Sequence, residues 1–175
     1  MSRWLSLIPL VVLVLLAALF VGWSLNRDPV YKPDAMVGQP IPETVLPRLS
    51  SGDGPPEVLD LKTAGVGKPM IVNLFASWCA PCRIEHPQLM AMQAQGIHVV
   101  GVAYKDDPAD TRAFLEELGD PFALVLVDRE GEAGLDLGVS GVPETFAVDA
   151  QGTIVAKHAG PLLPEDVERL TSALR

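Results

Sequence analysis

With only two cysteines in 175 residues, Cys79 and Cys82, the chain cannot supply the two paired knuckles that a structural zinc site usually takes. Nor is the pair a useful staple, because a loop closed across two residues constrains the unfolded chain very little. Basic residues are also scarce. Removing Asp28 and Asp34 from the 22 acids, and Arg3, Arg27 and Lys32 from the 13 bases, leaves 20 acids against 10 bases from Met36 onward. Such a surface repels phosphate backbones and anionic lipid, so no nucleic-acid partner is expected, and a neutral or basic contact region suits a protein partner better. There is no phosphate loop, nucleotide fingerprint or recognisable Ser/His/Asp arrangement. Internal repeats and low-complexity tracts are absent as well.

Charge is missing entirely between Arg3 and Arg27. The run WLSLIPLVVLVLLAALFVGWSL (4–25) meets the requirement of about 20 apolar residues for a spanning helix, with Trp4 and Trp23 near its ends. It exceeds the apolar region of about 7 to 15 residues in a cleaved signal peptide, so an uncleaved anchor over residues 1–26 is expected. Arg3 and the amino terminus favour a cytoplasmic start and place the remainder outside. Residues 27–42 are rich in proline and lack periodicity, as in a linker. Residues 43–175 form the expected folded domain, and a monomer is expected.

Within that domain, 43–49 and 57–61 flank SSGDGPP and read as a loose hairpin of two short strands. MIVNLFA after Pro69, IHVVGVAY (97–104) and FALVLVD (122–128) are short, apolar and β-branched, as expected for strands covered on both faces. Helix signals alternate with them. Residues 77–95 carry Pro81 near the start and Gly96 at the end, and Asp107 with Pro108 reads as an N-cap followed by proline at the first helical position, closed by Gly119. EAGLDLG suggests a short helix, ETFAVDAQGTIVAKH two strands around a turn, and 164–174 an amphipathic helix. This succession predicts an α/β fold with a central mixed sheet and helices on both faces.

The chemistry lies in WCAPC, between a buried strand and a helix start. Residues i and i+3 of a first helical turn share a face, so the two sulfurs can reach bonding distance. The helix N-terminus favours a thiolate at Cys79, the expected nucleophile, while Cys82, one turn further in, is placed to resolve a mixed disulfide. Thiolates also suit copper(I), with His86 four residues beyond Cys82, so a copper(I) delivery module for oxidase assembly is the alternative from another class. Met90 and Met92, with Leu89 and Ile84, read as the apolar side of the helix, and His86 as a residue of its surface.

NLFASWCAPCRIEHP together with GVSGVPETFAVDAQGTIVAKHAG resembles the thioredoxin superfamily and, within it, the periplasmic CcmG/DsbE branch that keeps cytochrome c maturation cysteines reduced. TlpA-like and ResA-like membrane-anchored reductases are close alternatives. The resemblance covers roughly residues 40–175 and implies a thioredoxin-like fold preceded by one transmembrane helix. It implies a protein thiol–disulfide oxidoreductase of the bacterial inner membrane, single-pass, with its soluble domain in the periplasm. No cofactor is implied beyond the redox-active Cys79–Cys82 disulfide, and no metal. Apocytochrome c or haem-ligation proteins are the implied partners, with a membrane electron donor of the DsbD/CcdA type. An oxidant of the same fold is the other possibility, since direction depends on reduction potential. Pro143 becomes the cis proline facing the dithiol, and Val142 the extended residue that pairs with an incoming peptide, beside Trp78 and Pro81. Glu85 and Glu144 become acids near the dithiol that tune the thiols or pass protons to Cys82. Pro87 bends the active-site helix. Asn73 departs from thioredoxin itself, which carries a buried aspartate six residues before its first cysteine.

Overall fold

The computed structural model describes residues 8–25, 36–50, 54–65 and 67–174, with side chains in the first segment through residue 22. The chain divides into two compact units, Met1–Lys32 and Pro33–Arg175. In the first, helix α1 (Ile8–Leu25) is apolar on every side, and all its described side chains are exposed. Among the described residues no helix is long and apolar enough to cross a membrane. The expected span also takes in 4–7 and the side chains of 23–25, which lie outside those described.

The second unit is built on a five-stranded mixed sheet in the order β5-β4-β3-β6-β7. Its strands are β3 (Met70–Phe75), β4 (Val99–Tyr104), β5 (Leu124–Asp128), β6 (Glu144–Val148) and β7 (Ile154–Ala159). β3, β4 and β5 run parallel, β6 pairs antiparallel with β3, and β7 antiparallel with β6. Every residue of β3 is buried, as a strand covered on both faces requires. The expected loose hairpin forms a separate antiparallel pair, β1 (Val45–Pro47) with β2 (Val58–Asp60).

Side chains alternate across the sheet and build two apolar clusters. Ile71, Phe75, Val99, Ala103, Val125 and Ala147 face helices α2 (Ala80–Ala94), α3 (Pro108–Leu118) and α5 (Pro164–Ser172). Val72, Leu74, Val100, Val102, Leu126 and Phe146 face Leu61 of a short 3-10 turn, Ala133 of helix α4 (Glu132–Asp136), and Leu137 just beyond it. Helices therefore cover both faces. Phe75 and Phe122 stack with ring centres 4.8 Å apart against the bare backbone of Gly101, where an added Cβ would lie 2.9 Å from each ring.

Two boundaries differ from expectation. The described part of the expected linker, 36–42, belongs to the domain: the Gly38 N–H donates to Ile154 O at 2.8 Å and Ile41 N–H to Gly152 O at 2.8 Å, with Ile41 buried. Pairing with the start of β7 and the turn before it, far along the chain, holds a segment that shows no periodicity of its own. The helix expected from Ser77 begins at Ala80, because Cys79 keeps extended backbone and serves as the N-cap.

Candidate active site

The site stands where β3 ends and α2 begins. Beyond Phe75 the chain turns, with the Cys79 N–H donating to Ala76 O at 3.2 Å, and Pro81 in the first helical turn supplies a preset φ at a position whose N–H would be free. Cys79 and Cys82 form a disulfide, S–S 2.06 Å. As N-cap, Cys79 Sγ accepts the Cys82 N–H at 3.1 Å. A thiolate on Cys79 therefore meets a backbone donor and the positive end of α2, both of which favour the charged form. The sulfurs are less open than the sequence suggests. Cys79 is 3% and Cys82 2% exposed, because in the disulfide both pack into the apolar cluster with Phe75 and Phe114. Trp78, 61% exposed, and Pro81 form the apolar rim beside them.

Asp106 anchors the residues before the disulfide. Its carboxylate is buried and accepts Ser77 N–H and Ser77 Oγ–H at 2.7 Å each, Thr111 Oγ–H at 2.9 Å and Asp107 N–H at 3.1 Å. Trp78 Nε1–H donates to the Lys105 carbonyl at 3.2 Å. Sequence reasoning missed Asp106. The signal was present in the consecutive acids Asp106 and Asp107, since only the second is needed to cap α3.

Opposite the disulfide lies the segment before β6. The Val142–Pro143 peptide bond is cis, and the Val142 carbonyl oxygen lies 3.6 Å from Cys79 Sγ. The Gly160 N–H donates to Pro143 O at 2.9 Å, tying this segment to the end of β7. Pro143 is buried and Val142 half-buried, and of the two it is Val142 whose carbonyl reaches the sulfur.

The two acids expected near the dithiol part company. Glu85 lies one turn after Cys82 on the buried side of α2. Its Oε1 accepts Asn73 Nδ2–H at 2.8 Å and its Oε2 the Leu162 N–H at 3.1 Å. Burial raises its pKa from 4.5 to about 7, against the two hydrogen bonds, which lower it. Asn73 also donates to Thr145 Oγ at 3.0 Å, while its Oδ1 is buried without a partner. Asn73 of β3 thus shares a buried hydrogen-bond network with an acid presented from α2. Glu144 instead pairs in register with Leu74, whose side chain joins the other cluster, so it points to the opposite face of the sheet. Its Oε1 accepts Ser140 N–H and Ser140 Oγ–H at 2.9 Å each, and Oε2 forms a buried ion pair with Lys157 Nζ at 2.7 Å. Adjacent strand residues face opposite ways, which corrects the placement of Glu144 beside the thiols.

His86, expected on the surface of α2, is buried: its Nε2 hydrogen-bonds Gly119 O at 2.9 Å and its ring stands edge-on to Phe114. Burial holds its pKa below the ordinary histidine value. Among the described residues no group of three or more His, Cys, Asp or Glu side chains could hold a metal ion. Leu89 and Met92 pack in the core, whereas Ile84, expected on the same apolar side, is 67% exposed and Met90 only half-buried, because their positions turn away from the sheet; Pro87 lies within α2.

Residues 36–174 match the Redoxin family. The chain is 44% identical over 169 residues to the thiol:disulfide interchange protein DsbE of Escherichia coli strain K12, covering 94% of this chain and 89% of that one. It is 42% identical over 171 residues to the thiol:disulfide interchange protein HelX of Rhodobacter capsulatus, covering 95% and 92%. A crystal structure of a thiol:disulfide interchange protein DsbE from Chlorobium tepidum superimposes with a TM-score of 0.65 at 30% identity, covering 78% of this chain and 94% of the other. With its cysteine pair closed at a helix N-terminus, the chain belongs to the Redoxin family and, within it, to the thiol:disulfide interchange proteins of the DsbE and HelX kind.

Proposed function

We propose that this protein reduces disulfides of apocytochrome c, or of the machinery that ligates haem to it, from a periplasmic domain tethered to the inner membrane by one N-terminal helix. In the reduced protein, the Cys79 thiolate attacks a partner disulfide, forming a mixed disulfide and expelling one partner thiolate. Cys82, as thiolate, then attacks the Cys79 sulfur, releasing the second partner thiolate and closing the Cys79–Cys82 bond. Two electrons pass to the partner, and each expelled thiolate takes up one proton. A membrane donor of the DsbD/CcdA type restores the dithiol.

The observation that carries this reading is Cys79 as N-cap of α2, its sulfur on the Cys82 N–H and against the Val142 carbonyl. Glu85, titrating near 7 one turn from Cys82, takes the proton that Cys82 gives up on becoming a nucleophile. Trp78, Pro81 and Val142 receive the partner's backbone and apolar side chains around its cysteine. An anchor is supported by α1, since a helix apolar all round is suited to lipid rather than to water. Trapping tests the whole sequence: Cys82→Ser freezes the mixed disulfide on Cys79, and mass spectrometry of the attached proteins identifies the partner. Capture of haem-motif cysteines or ligation proteins is expected. Capture by Cys82 in a Cys79→Ser variant, with none by Cys79, overturns the assignment.

A further inference from the structure

Lysine is rarely buried unless paired, and Lys157 is the lysine of this domain that is. Its side chain is 5% exposed and that of its partner Glu144 2%. The pair spans a diagonal of the β6–β7 ladder, where Glu144 faces Ala159 and Phe146 faces Lys157, and the ammonium also lies 5.1 Å from the Phe146 ring centre. The other Glu144 oxygen closes the loop that leads into the cis proline, through Ser140 N–H and Oγ–H. Two residues after Ser140 comes Val142, whose carbonyl meets Cys79 Sγ. An unbroken line of contacts therefore runs from Lys157, on one face of the sheet, to the reactive sulfur on the other.

We infer that Lys157 is a positioning residue for thiol–disulfide exchange: it compensates the buried Glu144 charge, so that the carboxylate holds Ser140 and thereby sets the Val142 backbone where a partner peptide pairs. Without the ammonium, Glu144 is an uncompensated buried charge, a situation far costlier than removing both members of such a pair. The carboxylate then turns toward water or is neutralised, and its grip on the Ser140 N–H and hydroxyl weakens. Cys79 itself keeps its cap on α2, which does not involve this loop. The consequence falls on substrates that use the Val142 backbone and spares those that only meet the sulfur. The inference rests on the reading that partner peptides dock at Val142.

The test uses the full chain, reduced and in detergent, with two disulfides: a peptide carrying a cystine within an extended segment, and a small aromatic disulfide with no peptide backbone. Lys157→Met is expected to slow reaction with the peptide by about tenfold, the lower side of what misplacing a positioned group costs, and to leave the small disulfide unchanged. Glu144→Gln combined with Lys157→Met has no charge to compensate and an amide oxygen that still accepts from Ser140, so it recovers most of the peptide rate. An unchanged peptide rate in Lys157→Met, equal slowing with both disulfides, or a double variant no faster than the single one overturns the role of Lys157. Should Lys157→Met fail to fold, the double variant set against the parent gives the decision: a peptide rate near the parent's supports action through Glu144, and a loss of about tenfold or more refutes it. If the unaltered protein shows no advantage for the peptide over the small disulfide, docking at Val142 fails instead.

Discussion

Replacing Glu85 with glutamine removes one proton-binding site from the core, and the structure gives its size. The folded carboxyl titrates near 7, against 4.5 ordinarily, chiefly because it is buried. Between those two pH values the folded chain keeps a proton that the unfolded chain has released. Stability contributed by this group is therefore complete below pH 4.5 and is lost as the pH rises toward 7. At about 1.4 kcal/mol for each pH unit of separation, the loss amounts to about 3 kcal/mol. Glutamine fits the same network: if Asn73 turns its amide over, its unpartnered Oδ1 accepts from the new Nε2–H, and the glutamine oxygen accepts the Leu162 N–H. Urea unfolding of the oxidised full chain and of Glu85→Gln, repeated from pH 4 to 8, isolates the effect in the difference between the two curves, where the other titrations cancel. The variant should gain on the parent by about 3 kcal/mol across that interval and run parallel on either side. Parallel curves throughout would refute a buried, proton-retaining Glu85, and with it the proton route to Cys82.

Asp106→Ala leaves the Ser77 amide and the fully buried Thr111 hydroxyl without an acceptor, and is expected to cost about 3 kcal/mol in denaturant unfolding and to slow exchange at Cys79. A loss below about 1 kcal/mol would show that Asp106 does not hold the start of the active-site turn. Gly101→Ala places a methyl group 2.9 Å from both Phe75 and Phe122, so thermal unfolding should show a loss of about 1 to 3 kcal/mol from overpacking. An unchanged or raised Tm would mean that the stacked rings move aside freely.

The legible parts of the fold were those whose signal is local. β3, β4 and β5 announce themselves as short β-branched runs, and Asp107–Pro108 and Gly119 mark the two ends of α3 by capping chemistry that involves only neighbouring residues. Misplaced features have the opposite character. Residues 36–42 carry no period, yet their amides and carbonyls pair with 152–154, far along the chain. His86 reads as a surface residue until α3 and the Gly119 carbonyl close over it. Glu144 was within reach of sequence reasoning, because strand alternation sets it opposite to Thr145 and Pro143. The resemblance implies an acid near the dithiol at Glu144, whereas its side chain lies on the far face of the sheet, paired with Lys157.

By itself the sequence determined the dithiol and its setting: an apolar strand, a two-residue gap between cysteines and a proline in the first helical turn suffice to put Cys79 at the positive end of α2, whatever the helix packs against. Only the tertiary structure decided what surrounds those sulfurs. Glu85 reaches the Leu162 amide across 77 residues, Ser77 reaches Asp106 across 29, and Val142 reaches Cys79 across 63. Helix starts follow from residues a few positions apart, whose geometry the backbone dictates. Which carboxylate is buried and what it pairs with depends on how the sheet orders its strands, and no local pattern carries that order.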